Sequence, residues 1–100
     1  MRLIIEKSKL KMAPERVARL AGYAYLPGRG GSQDSFIRVL TRSGYPRFHL
    51  YINQEDDKIV FNLHLDQKRP SYAGAAAHNA EYNGQAVEAE MERIRGVMGI

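Results

Sequence analysis

The sequence predicts an α+β domain: a three-stranded antiparallel meander covered on one face by two helices, in the order (β)-α-β-β-β-α. Three observations carry that prediction. Apolar residues alternate with polar ones over 35–66, with turn residues at two places. Helix-period stripes flank this region on both sides. At 100 residues with 44% hydrophobic content, the chain has material for one modest core and so reads as one domain over 1–100.

Taken in order, "RLIIEKS" suits a short N-terminal edge strand, with Lys7, Lys9 and Lys11 guarding the edge. Pro14 fits a first helical turn. Val17, Leu20, Ala21 and Ala24 continue at helical spacing until Pro27-Gly28 ends the segment. "GRGGSQD" then reads as a flexible connection. The strands follow at 35–42, 47–53 and 58–66, with "SGYP" and "QEDD" as turns. Ile37, Val39, Phe48, Leu50, Ile52, Ile59, Phe61, Leu63 and Leu65 would share the covered face. A last helix carries Val87, Met91, Ile94 and Met98 inward, and Gly96 frays its end.

The opposite face would then present Phe36, Arg38, Leu40 and Arg42 beside Arg47, His49, Tyr51 and Asn53, and beside Val60, Asn62, His64 and Asp66. The turns predict a register with Arg42, Arg47 and His64 in one row. Leu40, His49 and Asn62 form the next row, and Arg38, Tyr51 and Val60 the third. Two facing arginines call for an anion between them.

Composition bounds the chemistry. Absence of cysteine excludes disulfides, thiolate metal sites and a Cys nucleophile, and suits a reducing cytosol. No apolar run approaches the ~20 residues of a membrane span. The apolar part of "MRLIIEKSKLK" is too short for a signal peptide. The expected setting is cytoplasmic, without membrane association. Ten Lys/Arg against three acids in residues 1–50, and five against eight in 51–100, place the positive charge in the first half. That bias suits an anionic partner.

Three functions follow. The first is a nucleic-acid- or phosphate-binding module contacting RNA or DNA through Arg38, Arg42, Arg47, His49, Tyr51 and His64, with Lys68, Arg69 and Tyr72 from the 64–82 stretch "HLDQKRPSYAGAAAHNAEY". The second is a metal-dependent phosphodiesterase or nuclease. His64 and Asp66 are two apart on a strand and share a face, while His78 and Glu81 are three apart and share one if the last helix starts early. Two imidazoles and two carboxylates suit a divalent ion such as Zn²⁺, Mn²⁺ or Fe²⁺, with Mg²⁺ a further option. The third is a homodimer through the open sheet face. The chain thus reads first as a binding module and second as an enzyme. Ser32 and Ser71 have no fixed base beside them, so no hydrolase triad is expected.

Two resemblances bear on this. "DQK" (Asp66 to Lys68) resembles the (D/E)-x-K triplet of PD-(D/E)xK nucleases, which implies a metal-binding acid at Asp66 and a water-orienting Lys68; the Pro-Asp pair of that family is absent upstream. The α-β-β-β-α order is similar to that of double-stranded-RNA-binding domains and HicA-like toxin ribonucleases. Gln33 and Asp34 stand where the latter carry a histidine, so no catalytic residue is carried across.

Overall fold

The computed structural model describes residues 1–67 and 84–100, with the backbone of 80–81. It is α+β. Strand β1 (Arg2–Glu6) leads through a 3-10 turn (Lys7–Lys9) to helix α1 (Pro14–Leu20). Then come β2 (Ala24–Leu26), β3 (Ser35–Val39), β4 (Arg47–Glu55), β5 (Lys58–Asp66), β6 (Ala80–Glu81) and α2 (Gln85–Met98). The meander expected at the centre becomes a wider antiparallel sheet in the order β1-β5-β4-β3-β2. The two-residue β6 pairs with β5 at Leu65 and Asp66, on the edge where β1 pairs with Lys58 to Asn62.

Both helices pack on one face. Val17, Ala18 and Ala21 from the first helical segment, and Val87, Met91, Ile94 and Met98 from α2, close over Ile5, Phe36, Phe48, Leu50, Ile59, Phe61, Leu63 and Leu65. Among the described residues, no helix is long and apolar enough to cross a membrane.

Helix α1 stops earlier than its apolar spacing suggests. Gly22 adopts φ 94°, its N–H donates to the Arg19 carbonyl at 3.0 Å, and the Tyr23 N–H donates to the Ala18 carbonyl at 2.9 Å. This glycine-terminated cap satisfies the last carbonyls and turns the chain outward, freeing Ala24 to begin β2. At the other end of the chain, Gly99 rather than Gly96 ends α2, again in the left-handed region at φ 81°.

The register of β3 departs from expectation by an odd number. Val39 pairs with Arg47, and Phe36 with Leu50. The turn before β4 takes up more chain than "SGYP". Thr41 Oγ1 donates to the Tyr45 carbonyl at 2.6 Å, and the Leu40 N–H donates to the Pro46 carbonyl at 3.1 Å. Because strand side chains alternate, an odd slip exchanges the two faces. Phe36 and Arg38 therefore face the helices, while Ile37 and Val39 join the open face. Arg42 lies in the turn and not in a row with Arg47 and His64.

Between β4 and β5 the slip is two, so the faces hold. The turn is Asp56-Asp57 alone, with Asp56 at φ 57° and Glu55 paired to Lys58. Arg47 consequently lies opposite Asp66, His49 opposite His64, and Tyr51 opposite Asn62.

Candidate functional site: a histidine–aspartate centre on the open sheet face

The register assembles the site. With His49 directly across from His64, their rings lie 4.9 Å apart between centroids, and Tyr51, two residues along β4, stacks on His49 at 4.6 Å. Asp66 is two residues beyond His64 on β5, so its carboxylate emerges on the same face one row away. One oxygen, Oδ1, lies 2.9 Å from His64 Nε2; the other, Oδ2, lies 3.1 Å from both His49 Nδ1 and Arg47 Nε. A ligand atom from each of His49, His64 and Asp66 falls within 4.8 Å of the others.

Behind His49 is Ser35, the first residue of β3. Its Oγ lies 2.7 Å from His49 Nε2, and it is only 3% exposed. The preceding loop fixes its position. The Asp34 carboxylate accepts from the Gly28 N–H at 2.8 Å and from the Tyr25 hydroxyl at 2.7 Å. A Cβ on Gly28 would stand 1.9 Å from the Ser32 carbonyl oxygen, so only glycine permits that closure. The segment read as a flexible connection is thus stapled through Asp34 and delivers Ser35 under the His49 ring.

The electrostatics follow from these contacts. Burial alone would favour the neutral Asp66 acid, but hydrogen bonds from His49 and His64 and the Arg47 guanidinium outweigh it and hold the carboxyl well below the usual carboxylate range. A neutral His49 tautomer that satisfies both contacts carries its proton on Nδ1, facing Asp66, and accepts the Ser35 hydroxyl proton at Nε2. If a cation replaced the Nδ1 proton, the proton would move to Nε2 and Ser35 Oγ would become the acceptor. A hydroxyl serves either role.

Of the residues expected to form a basic sheet face, the structure brings together Arg47, His49, Tyr51 and His64. It does not add Arg38, which points to the helix side and lies 3.4 Å from Glu90 Oε1. Nor does it add Arg42. Of the expected metal set, His64 and Asp66 converge, and His49 takes a place that the sequence reading did not give it. Glu81 falls in β6, backbone-paired with Leu65, and not on an early turn of α2. Lys68, Arg69, Tyr72 and His78 lie outside the described residues. Ser35 was missed. The available signal was its position at a strand start, diagonal to a strand histidine, and reading it required the register.

Ser35, His49 and Asp66 also stand in the order of a nucleophile, base and orienting acid, contrary to the expectation that no such row would form. In that arrangement His64 would only orient Asp66 through its 2.9 Å contact, whereas a cation between His49, His64 and Asp66 would engage all three groups directly. No family model, characterised protein or solved structure matches this chain.

Proposed function

We propose that the protein is a divalent-metal-dependent phosphodiesterase with His49, His64 and Asp66 as the protein ligands. The convergence of these three groups on one sheet face carries the reading. Tetrahedral zinc with bonds of about 2.0–2.1 Å separates its ligand atoms by roughly 3.3 Å. The 2.9 and 3.1 Å spacings run from different carboxylate oxygens to the two imidazoles, and with one atom from each residue the set lies within 4.8 Å, so a modest closing of the three side chains seats an ion. Two imidazoles with one carboxylate favour Zn²⁺ or Mn²⁺ over Mg²⁺, which prefers an all-oxygen shell.

Three protein ligands leave a coordination position open, as catalytic sites do. When bound, the ion supplies Lewis acidity and an activated water. The surrounding residues supply orientation and charge. Ser35 fixes the His49 ring by its second nitrogen, and Arg47 holds Asp66 ionised. With Arg47 offsetting Asp66, the ion leaves the centre net positive, which favours a phosphate anion over a neutral ester. The alternative of a metal-free nucleic-acid module draws less support from the geometry. Arg38 serves the helix side, and Arg47 is already paired with Asp66.

The test is a titration with Co²⁺ followed by visible absorption. One equivalent should bind with a tetrahedral-type spectrum, and Zn²⁺ should displace it. His64→Ala should weaken binding by more than ~100-fold, beyond the range seen for outer-shell changes. The loaded protein should hydrolyse bis(p-nitrophenyl) phosphate, and EDTA should stop it. Failure to bind Co²⁺ or Zn²⁺ stoichiometrically would overturn the reading.

A further inference from the structure

We infer that the substrate is a single-stranded nucleic acid that lies across Tyr51, with one nucleotide on each side of it. This inference rests on the phosphodiesterase reading and names the substrate class of that same site.

The observation is a pair of cavities that share Tyr51 as a lining residue. The first, of about 360 Å³, is walled by Gln33, Tyr51, Asn53, Asn62 and His64. The second, of about 320 Å³, is walled by Pro27, Arg29, Ser35, His49 and Tyr51. Each histidine of the proposed centre therefore faces a different cavity, and the Tyr51 ring is a wall of both. A phosphate monoester carries an organic group through one bridging oxygen, whereas a diester carries one through each of two. A centre flanked by a cavity on each side suits a diester.

The walls narrow the class further. Tyr51 lies nearly parallel to the His49 ring, at 26°, and to the His64 ring, at 28°. Tyr51 covers the buried His49 ring and is itself partly exposed, an aromatic platform of the kind on which unpaired bases stack without regard to sequence. Gln33 Nε2 donates to the Ile52 carbonyl at 3.2 Å and to Asn53 Oδ1 at 2.9 Å, which orients the Asn53 amide. The Asn53 NH₂ group, the Gln33 carbonyl oxygen and the Asn62 amide offer the first cavity donors and acceptors suited to a base edge. Arg29 brings positive charge to the second cavity, where the phosphate next along the strand would fall. Each volume lies at the small end for ligand sites, enough for one nucleoside. Bases paired and stacked in a duplex could not enter either cavity or lie on Tyr51.

The test is fluorescence anisotropy with short fluorescein-labelled RNA and DNA strands and their duplexes, on the full chain, in EDTA. Single strands of either sugar should bind more than ~10-fold tighter than the duplex of the same sequence. Tyr51→Ala should weaken that binding roughly tenfold or more, and Tyr51→Phe should restore it, because stacking needs the ring and not the hydroxyl. A preference for RNA or for DNA supports the inference equally. Duplex binding as tight as single-strand binding, absence of single-strand binding, or indifference to Tyr51→Ala would each overturn it. Because these measurements omit the metal, they fail or succeed separately from the Co²⁺ titration.

Discussion

Two carboxylates, one on each side of the sheet, each gather three donor residues, and the kind of donor separates their roles. On the helix side, Glu90 is buried at 5% exposure. Its oxygens accept from the Tyr23 hydroxyl at 2.6 Å and from Arg93 Nε and Nη2 at 2.9 Å each, with Arg38 Nη1 at 3.4 Å. On the open side, Asp66 gathers Arg47, His49 and His64. Guanidinium and phenol groups fix a fold but offer no lone pair that a cation would take at neutral pH. Imidazoles do. The Glu90 cluster can therefore only tie α2 to the turn after α1 and to β3, whereas the Asp66 cluster can exchange its protons for an ion.

The largest expected effects come from exchanging each acid for its amide. Asp66→Asn should abolish Co²⁺ binding and also lower the urea midpoint of the metal-free protein, because the carboxyl is held well below its ordinary range and Arg47, His49 and His64 are largely buried around it. Glu90→Gln should lower the midpoint alone. Leaving Arg93 and Arg38 facing a neutral amide in a buried site should cost about 2 kcal/mol, below the range for fully buried pairs because both arginines keep solvent contact. Metal affinity should hold. Adding Zn²⁺ at roughly 100 times its Kd should raise the stability of Glu90→Gln by about 2.7 kcal/mol, as in wild type, and that of Asp66→Asn not at all. If Glu90→Gln also loses metal binding, the division of labour fails.

Ser35→Ala sharpens the comparison at smaller scale. Removing the hydroxyl frees His49 to rotate and leaves Nε2 unsatisfied, so metal affinity should fall between 10- and 100-fold. Ser35→Thr keeps the hydroxyl and should recover most of the loss. Were Ser35 instead a nucleophile served by His49, wild-type protein freed of metal would be labelled by a fluorophosphonate at Ser35, and Ser35→Ala would not. We expect no labelling.

The open-face cluster was only half legible in the sequence, and the helix-side cluster was not legible at all. Period-two alternation placed His49, His64 and Asp66 on one face, because parity survives a two-residue slip between β4 and β5. It did not place His49 beside His64, since that depends on whether two residues or four make the turn at Asp56 and Asp57. The odd slip at β3 is governed by side-chain bonds from Thr41 to the Tyr45 carbonyl, which no alternation pattern encodes. That one slip moved Arg38 from the expected anion-binding face to Glu90. Strand β2 was hidden because Ala24 continues the helical spacing of α1, and the cap at Gly22 decides the matter locally. The apolar stripe of α2 was legible in full because burial sets it directly: Val87, Met91, Ile94 and Met98 are all in the core.

The smallest effect is the pH dependence that separates the acids once more. Burial pushes the Glu90 carboxyl up, but Arg93 and the Tyr23 hydroxyl outweigh it and hold the group below its ordinary value of 4.5. A folded-state value below the unfolded one means that the unfolded chain takes up the proton first. The stability from Glu90 is therefore fully present above pH 4.5 and is lost as pH falls through the lower folded-state value. Urea midpoints measured in EDTA from pH 7 downward should stay level to about pH 5 and then decline. Glu90→Gln should flatten part of that decline. Asp66 is held low in the same sense, so the double variant Glu90→Gln/Asp66→Asn should flatten it further, and by the sum of the single effects, because the two clusters lie on opposite faces and share no residue. A Glu90→Gln protein whose acid decline matched wild type would show that the helix-side cluster carries no net stabilisation.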